Sequence, residues 1–293
     1  MEIFENTIPF LNYQTYYRTV GKRGSKPPLV LLHGGPGSSH NYFEVLDELA
    51  EKDNRQIIMY DQLGCGNSSI PDDHPEIYTQ DTWVKELENL RQRLHLNKIH
   101  LLGQSWGGML AIIYMCDYHP QGIQSLILSS TLSSAALWSK ELHRLIKYLP
   151  IEEQAAIHRA ELTHNFSDSA YLKANEHFMD QHVLKITNES PEPVRRKKIG
   201  GTVAYNIAWG PNEYTPEGNL HDYEYTNKLA KITTPALITS GTDDLCTPLV
   251  AKTMYDNLPN SQWELFENCG HMPFVQKTNE YIDLLINWLN LHD

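Results

Sequence analysis

Ser105 stands among glycines in the run Leu101-Leu102-Gly103-Gln104-Ser105-Trp106-Gly107-Gly108. A hydroxyl is a weak nucleophile until an imidazole takes its proton and an acid orients that imidazole. Both partner types occur further along, in Gly241-Thr242-Asp243-Asp244 and in Gly270-His271. His271 is the expected base. Asp244 is the expected orienter, being the last polar residue before the turn, with Asp243 as the alternative. Acyl transfer by such a triad also needs two backbone N–H groups for the oxyanion. One should belong to Trp106, next to the nucleophile, and the other to His33-Gly34-Gly35-Pro36-Gly37. Pro36 has no N–H to give, and Gly35, lacking a Cβ, lets a substrate carbonyl approach closely.

These residues act together only if the chain folds to place them on one rim. The run Lys98-Ile99-His100-Leu101-Leu102 reads as a buried strand, and Met109-Leu110-Ala111-Ile112-Ile113 as a buried helix. A strand reversing into a helix so abruptly needs glycines where side chains would collide across the turn. Leu29-Val30-Leu31-Leu32, Ile57-Ile58-Met59-Tyr60, Ile123–Leu128, Ala236–Ser240 and Trp263–Phe266 are further strand-like runs. Helical stripes lie at 82–94 and 279–291, and residues 7–20 read as an antiparallel hairpin. Alternating strands and helices imply an α/β fold, a mostly parallel sheet with helices on both faces. Ser105, the aspartate pair and His271 each follow a strand, in the chain order of an α/β-hydrolase triad.

The alternation breaks at residue 131. Helical stripes at 139–148, 152–162 and 170–183 follow, and the strands resume only at Pro235. Residues 131–229 are therefore expected to form a helical cap inserted into a hydrolase core of residues 1–130 and 230–293. An insertion there would lie over the carboxyl ends of the strands, where the serine sits.

Composition narrows the class. The 293 residues carry a net charge of −12, and the one basic run, Arg195-Arg196-Lys197-Lys198, reads as a solvated helix face. A chain without a positive face is not expected to bind nucleic acid. No apolar run is long enough to span a bilayer, and the acidic start Met1-Glu2-Ile3-Phe4-Glu5 is unlike a signal peptide. A cytoplasmic setting is expected, with cell-envelope association left open. Cys65, Cys116, Cys246 and Cys269 lie far apart with no C-x-x-C spacing, so neither a metal site nor a disulfide framework is expected. No cofactor is implied. Isolated histidines such as His95, His100 and His143 read as packing or surface residues.

Taken together, His33-Gly34-Gly35-Pro36-Gly37, Asp61-Gln62 with Gly64-Cys65-Gly66-Asn67-Ser68, Gly103–Gly108, Gly241–Asp244 and Gly270-His271 resemble the proline iminopeptidases of the α/β-hydrolase superfamily. The likeness spans nearly the whole chain, is of the lactobacillus-like bacterial type, and includes Gly210-Pro211-Asn212-Glu213-Tyr214-Thr215. It implies a serine exopeptidase that releases N-terminal proline from small peptides with a free N-terminus. It also implies that Glu213 binds the substrate's α-amino group, which is largely cationic near neutral pH. Trp106, Tyr205, Trp209 and Tyr214 are the expected walls of the proline slot. Some relatives carry a second amine-binding glutamate directly after the triad aspartate. This chain has Leu245 there, and Asp243, Glu217 and Asp222 are the candidate replacements. Two other functions stay open: a small-ester or C–C bond hydrolase with the same triad, and a non-catalytic ligand receptor on a hydrolase scaffold.

Overall fold

An antiparallel hairpin, β1 (Ile3–Phe10) and β2 (Tyr13–Val20), opens the computed structural model, which describes residues 1–293. It begins four residues earlier than the alternation suggests, because β1 is an edge strand whose first five residues are all exposed and show no inside-outside pattern. Next come β3 (Leu29–Leu32), α1 (Glu48–Lys52), β4 (Ile57–Tyr60), α2 (Gln80–Arg93), β5 (Ile99–Gln104), α3 (Trp106–Ile113) and β6 (Ile123–Ser129). Five helices follow: α4 (Ala135–Ile146), α5 (Ile151–Thr163), α6 (Ser169–His182), α7 (Glu192–Arg195) and α8 (Thr202–Ala208). The chain finishes with β7 (Ala236–Gly241), α9 (Pro248–Asn257), β8 (Ser261–Phe266), α10 (Pro273–Gln276) and α11 (Thr278–Leu291). The short helices α1, α7, α8 and α10 and a 3₁₀ segment at His40–Leu46 span too few turns to leave a readable stripe.

The eight strands form one sheet in the order β1-β2-β4-β3-β5-β6-β7-β8. The hairpin joins β4 antiparallel, and every pairing from β4 to β8 is parallel. Side chains alternate across each strand, so one run feeds two cores. Val30, Leu32, Leu101 and Ile238 pack with Trp83 and Leu87 of α2, Leu110 of α3 and Met254 of α9. Leu29, Leu31, Leu102 and Leu237 pack on the opposite face with Phe43, Tyr281, Leu285 and Leu289. Burial on both faces explains why these strands are continuous apolar runs. The first core continues into the helical segment through Trp138, Leu142, Ile157 and Phe178, so α4 to α6 share the apolar interior of the sheet.

Candidate active site

Ser105 sits between β5 and α3 with φ 54° and ψ −122°, a conformation that costs energy for a residue with a Cβ. Two glycines make the turn possible. A Cβ on Gly103 would lie 2.2 Å from the Gly107 carbonyl oxygen, and one on Gly107 would lie 2.0 Å from that of Leu32. The elbow is tied down by Ser105 N–H donating to Ser129 O at 3.0 Å and by the Thr131 hydroxyl donating to Ser105 O at 2.6 Å.

His271 follows β8 and is 5% exposed. Its Nδ1 lies 2.7 Å from Asp244 Oδ1, which assigns the proton to that nitrogen and leaves Nε2 as the basic atom. Its backbone N–H donates to the carbonyls of His182 and Val183 at the end of α6, so the helical segment holds the histidine loop directly. Asp244 has every acceptor position filled. Cys246 N–H also donates to Oδ1 at 2.8 Å, while the Ser130 hydroxyl and Gly241 N–H donate to Oδ2 at 2.6 and 3.2 Å. Asp243 is exposed, and its carboxylate meets only the Thr242 hydroxyl at 3.4 Å. The geometry therefore pairs His271 with Asp244.

Ser105, Gly35, Tyr205, Glu213, Leu245 and His271 line one cavity of about 430 Å³. Ser105 Oγ and His271 Nε2 make no hydrogen bond here; such contacts are commonly long in free enzymes and tighten with substrate. The Gly35 and Trp106 N–H groups donate to no protein acceptor, whereas Gly34 N–H is taken by the Tyr42 hydroxyl at 2.5 Å. Gly35 has φ 113°, and a Cβ there would lie 2.6 Å from Gly37 N. The carbonyl of the Gly34–Gly35 peptide accepts from His33 Nδ1 at 2.8 Å, and His33 Nε2 accepts from Gln62 N–H at 2.9 Å. Burial pushes the His33 pKa down to about 4, so the ring is neutral and can serve both contacts.

Glu213 is half-buried in the cavity wall, and its Oε1 accepts from the Tyr205 hydroxyl at 2.9 Å. Burial raises its pKa above the usual glutamate range, against the opposing influence of His271 and the Tyr205 hydrogen bond. No other carboxylate lines the cavity. Asp243, Glu217 and Asp222 are exposed outside it, and Leu245 occupies its wall, so none of the three replaces a second glutamate.

Of the expected aromatic walls, only Tyr205 lines the cavity; the other three need correction. The Trp106 indole turns into the core, where its Nε1–H donates to Gln62 Oε1 at 2.7 Å and its ring meets Trp83. Tyr214 is fully buried against Phe178. Trp209 is buried as well, and its Nε1–H donates to the backbone carbonyl of Glu213 at 3.2 Å. The remaining apolar wall comes from Met179 and Val183, which lie on or beside α6, together with Leu245 and Met272. Ser130, Tyr42 and Trp138 support the site without any sequence signal beyond residue type.

A serine hydroxyl, an imidazole with a fixed tautomer, the unpaired Gly35 N–H and one carboxylate share a single cavity, with the unpaired Trp106 N–H next to Ser105 in the chain, and this set suits acyl transfer from a substrate with a cationic end. No group of histidine, cysteine or acidic side chains is arranged to hold a metal ion, and no helix is long and apolar enough to cross a membrane.

Residues 27–278 match the model of the α/β hydrolase fold family. The chain is 77% identical over 293 residues to the proline iminopeptidase of Lactobacillus helveticus strain DPC 4571, covering all of both chains. Among solved structures, VinJ superposes with a TM-score of 0.92 at 30% identity, over 99% of each chain. The proline iminopeptidase of Mycobacterium smegmatis superposes with a TM-score of 0.87 at 30% identity, over 99% of this chain and 98% of that one.

Proposed function

The chain belongs to the proline iminopeptidase family of α/β hydrolases, and from that membership we infer a serine exopeptidase that releases N-terminal proline from peptides. Ser105 Oγ attacks the carbonyl of the first residue as His271 Nε2 takes its proton. Asp244 holds His271 in the reactive tautomer and stabilises the imidazolium that forms. The oxyanion is received by the N–H groups of Gly35 and Trp106, at the N-terminus of α3 where the helix dipole favours negative charge. His271 then protonates the departing peptide nitrogen. Water, deprotonated by the same imidazole, hydrolyses the prolyl ester and frees Ser105.

The observation that favours an exopeptidase over a simple esterase is Glu213, the lone carboxylate of the Ser105 cavity. A cationic α-amine placed against it compensates the carboxylate's desolvation and draws its raised pKa back down. Small peptides with a free N-terminus are the substrates that this arrangement fits. Residues 131–229 act as the cap that carries Glu213 and Tyr205, over a core of residues 1–130 and 230–293.

Ser105→Ala should abolish turnover of prolyl-2-naphthylamide while leaving the melting temperature unchanged. N-acetylation of the prolyl substrate should block the unmodified enzyme. Retained turnover by Ser105→Ala removes the proposed nucleophile, and ready cleavage of the acetylated substrate removes the exopeptidase reading of the site.

A further inference from the structure

Trp138 lies one turn into α4, is buried, and does not line the cavity. Its indole nonetheless touches both ends of the proposed chemistry. The Nε1–H donates to the backbone carbonyl of Glu213 at 2.9 Å. Its ring meets the His271 imidazole edge-on, with centroids 5.9 Å apart and planes at 65°. A rigid side chain with two rotatable bonds thus spans from the base to the backbone that carries the carboxylate.

Neighbouring contacts stiffen the same span. Trp209 Nε1–H donates to that Glu213 carbonyl at 3.2 Å, and the Ser139 hydroxyl donates to the next carbonyl, Tyr214 O, at 2.8 Å. Asn212 Oδ1 accepts from the N–H groups of Tyr214 and Thr215, closing the turn around Glu213. At the other end, Glu141 on α4 accepts from the Thr247 hydroxyl at 2.8 Å, three residues after Asp244. The helix is therefore bonded to the loop of the acid and to the loop of the lone cavity carboxylate.

We propose that Trp138 is a positioning residue that sets the distance between Glu213 and His271, and so selects substrates whose free amine lies one residue from the scissile bond. The proposal rests on Glu213 as the amine anchor. Near-attack geometry is sensitive to misplacement of about 1 Å, so loosening the anchor penalises amine-bearing substrates in particular.

The test compares prolyl-2-naphthylamide with p-nitrophenyl acetate, which has no amine. Trp138→Phe keeps an aromatic ring against His271 and deletes the N–H. It should lower kcat/KM for the amide about tenfold, with kcat falling as well as KM rising because the amine is misplaced relative to the reacting carbonyl, and for the ester by no more than about twofold. Ser139→Ala, a milder change on the same strut, should shift the amide-to-ester ratio in the same direction by about threefold and keeps the test open if Trp138→Phe fails to fold. In a Glu213→Gln background, Trp138→Phe should add less than about twofold, because the interaction it supports is already gone. Equal losses on amide and ester, or losses that multiply in the double variant, overturn the positioning role. If Glu213→Gln by itself impairs amide and ester equally, the anchor fails first and the proposal falls with it.

Discussion

Replacing Asp244 with Asn preserves the shape of the side chain and changes what one of its two ends can accept. Four donors now converge on the carboxylate: His271 Nδ1 and Cys246 N–H on Oδ1, the Ser130 hydroxyl and Gly241 N–H on Oδ2. An amide offers one acceptor and one NH₂, so neither orientation satisfies the site. With NH₂ at the Oδ2 position, the Ser130 hydroxyl can turn and accept, but Gly241 N–H loses its partner. With NH₂ at the Oδ1 position, Cys246 N–H is opposed, and His271 Nδ1 must become an acceptor. That second arrangement moves the imidazole proton to Nε2, the atom that should receive the Ser105 proton. A buried donor left unpaired costs about 1–3 kcal/mol, so some loss of stability accompanies either choice. The first orientation keeps the tautomer but removes the negative charge that stabilises the imidazolium, and the second gives the wrong tautomer; either should lower kcat, by about 10³- to 10⁴-fold where the tautomer is wrong, equivalent to roughly 4–5.5 kcal/mol of barrier. The assay is kcat for prolyl-2-naphthylamide between pH 7 and 10, with a thermal melt on the same sample and Asp243→Asn in parallel. Asp243→Asn should stay within about twofold of the unmodified enzyme, as expected for an exposed substitution. Asp244→Asn activity within tenfold of the unmodified enzyme, or a larger loss from Asp243→Asn, refutes the assignment.

Other substitutions probe the scaffold. Gly107→Ala would place a Cβ 2.0 Å from Leu32 O, in a buried strand that cannot retreat without breaking its pairing with β4 and β5. Its melting temperature should fall by about 5 °C, as overpacking of about 3 kcal/mol implies; a shift under about 2 °C contradicts the elbow argument. His100 is buried between the Ser125 hydroxyl and Asp293, and burial, aided by Arg55, lowers its pKa to about 4. The unfolded chain binds a proton on this residue at about pH 6.5, so stability falls as pH drops from there towards 4 and gains nothing from His100 above that window. At pH 5 the penalty is about 2 kcal/mol, so His100→Gln should narrow the gap in melting temperature between pH 7.5 and pH 5. An unchanged gap would mean that the histidine already carries its proton in the folded protein.

Several features were legible because their cause is local. Leu29–Leu32 and Ile57–Tyr60 are apolar at every position since both faces of a central parallel strand are covered. Gly103 and Gly107 announce the elbow because only a missing Cβ fits that turn. Ser105, the aspartate pair and His271 stand in loops after strands, and chain order alone relates them to a hydrolase triad. The first residues of β1 and the short helices are illegible for equally local reasons, an exposed edge and too little length.

Residue types at strand ends, with their order, determine the fold class and the chemistry this chain can perform, because backbone sterics and apolar periodicity act between near neighbours. Which aromatic rings face substrate and which face core is decided elsewhere. Trp106, Trp209 and Tyr214 have the composition of a binding slot, yet Trp106 and Tyr214 are claimed by packing from other elements, and Trp209 is buried in the core with its Nε1–H bonded to the backbone of its own loop. Trp138 finds Glu213 across 75 positions, and Ser130 finds Asp244 across 114. Contacts of that separation exist only once the sheet has closed and the helices have settled over it, so only the tertiary structure could assign them.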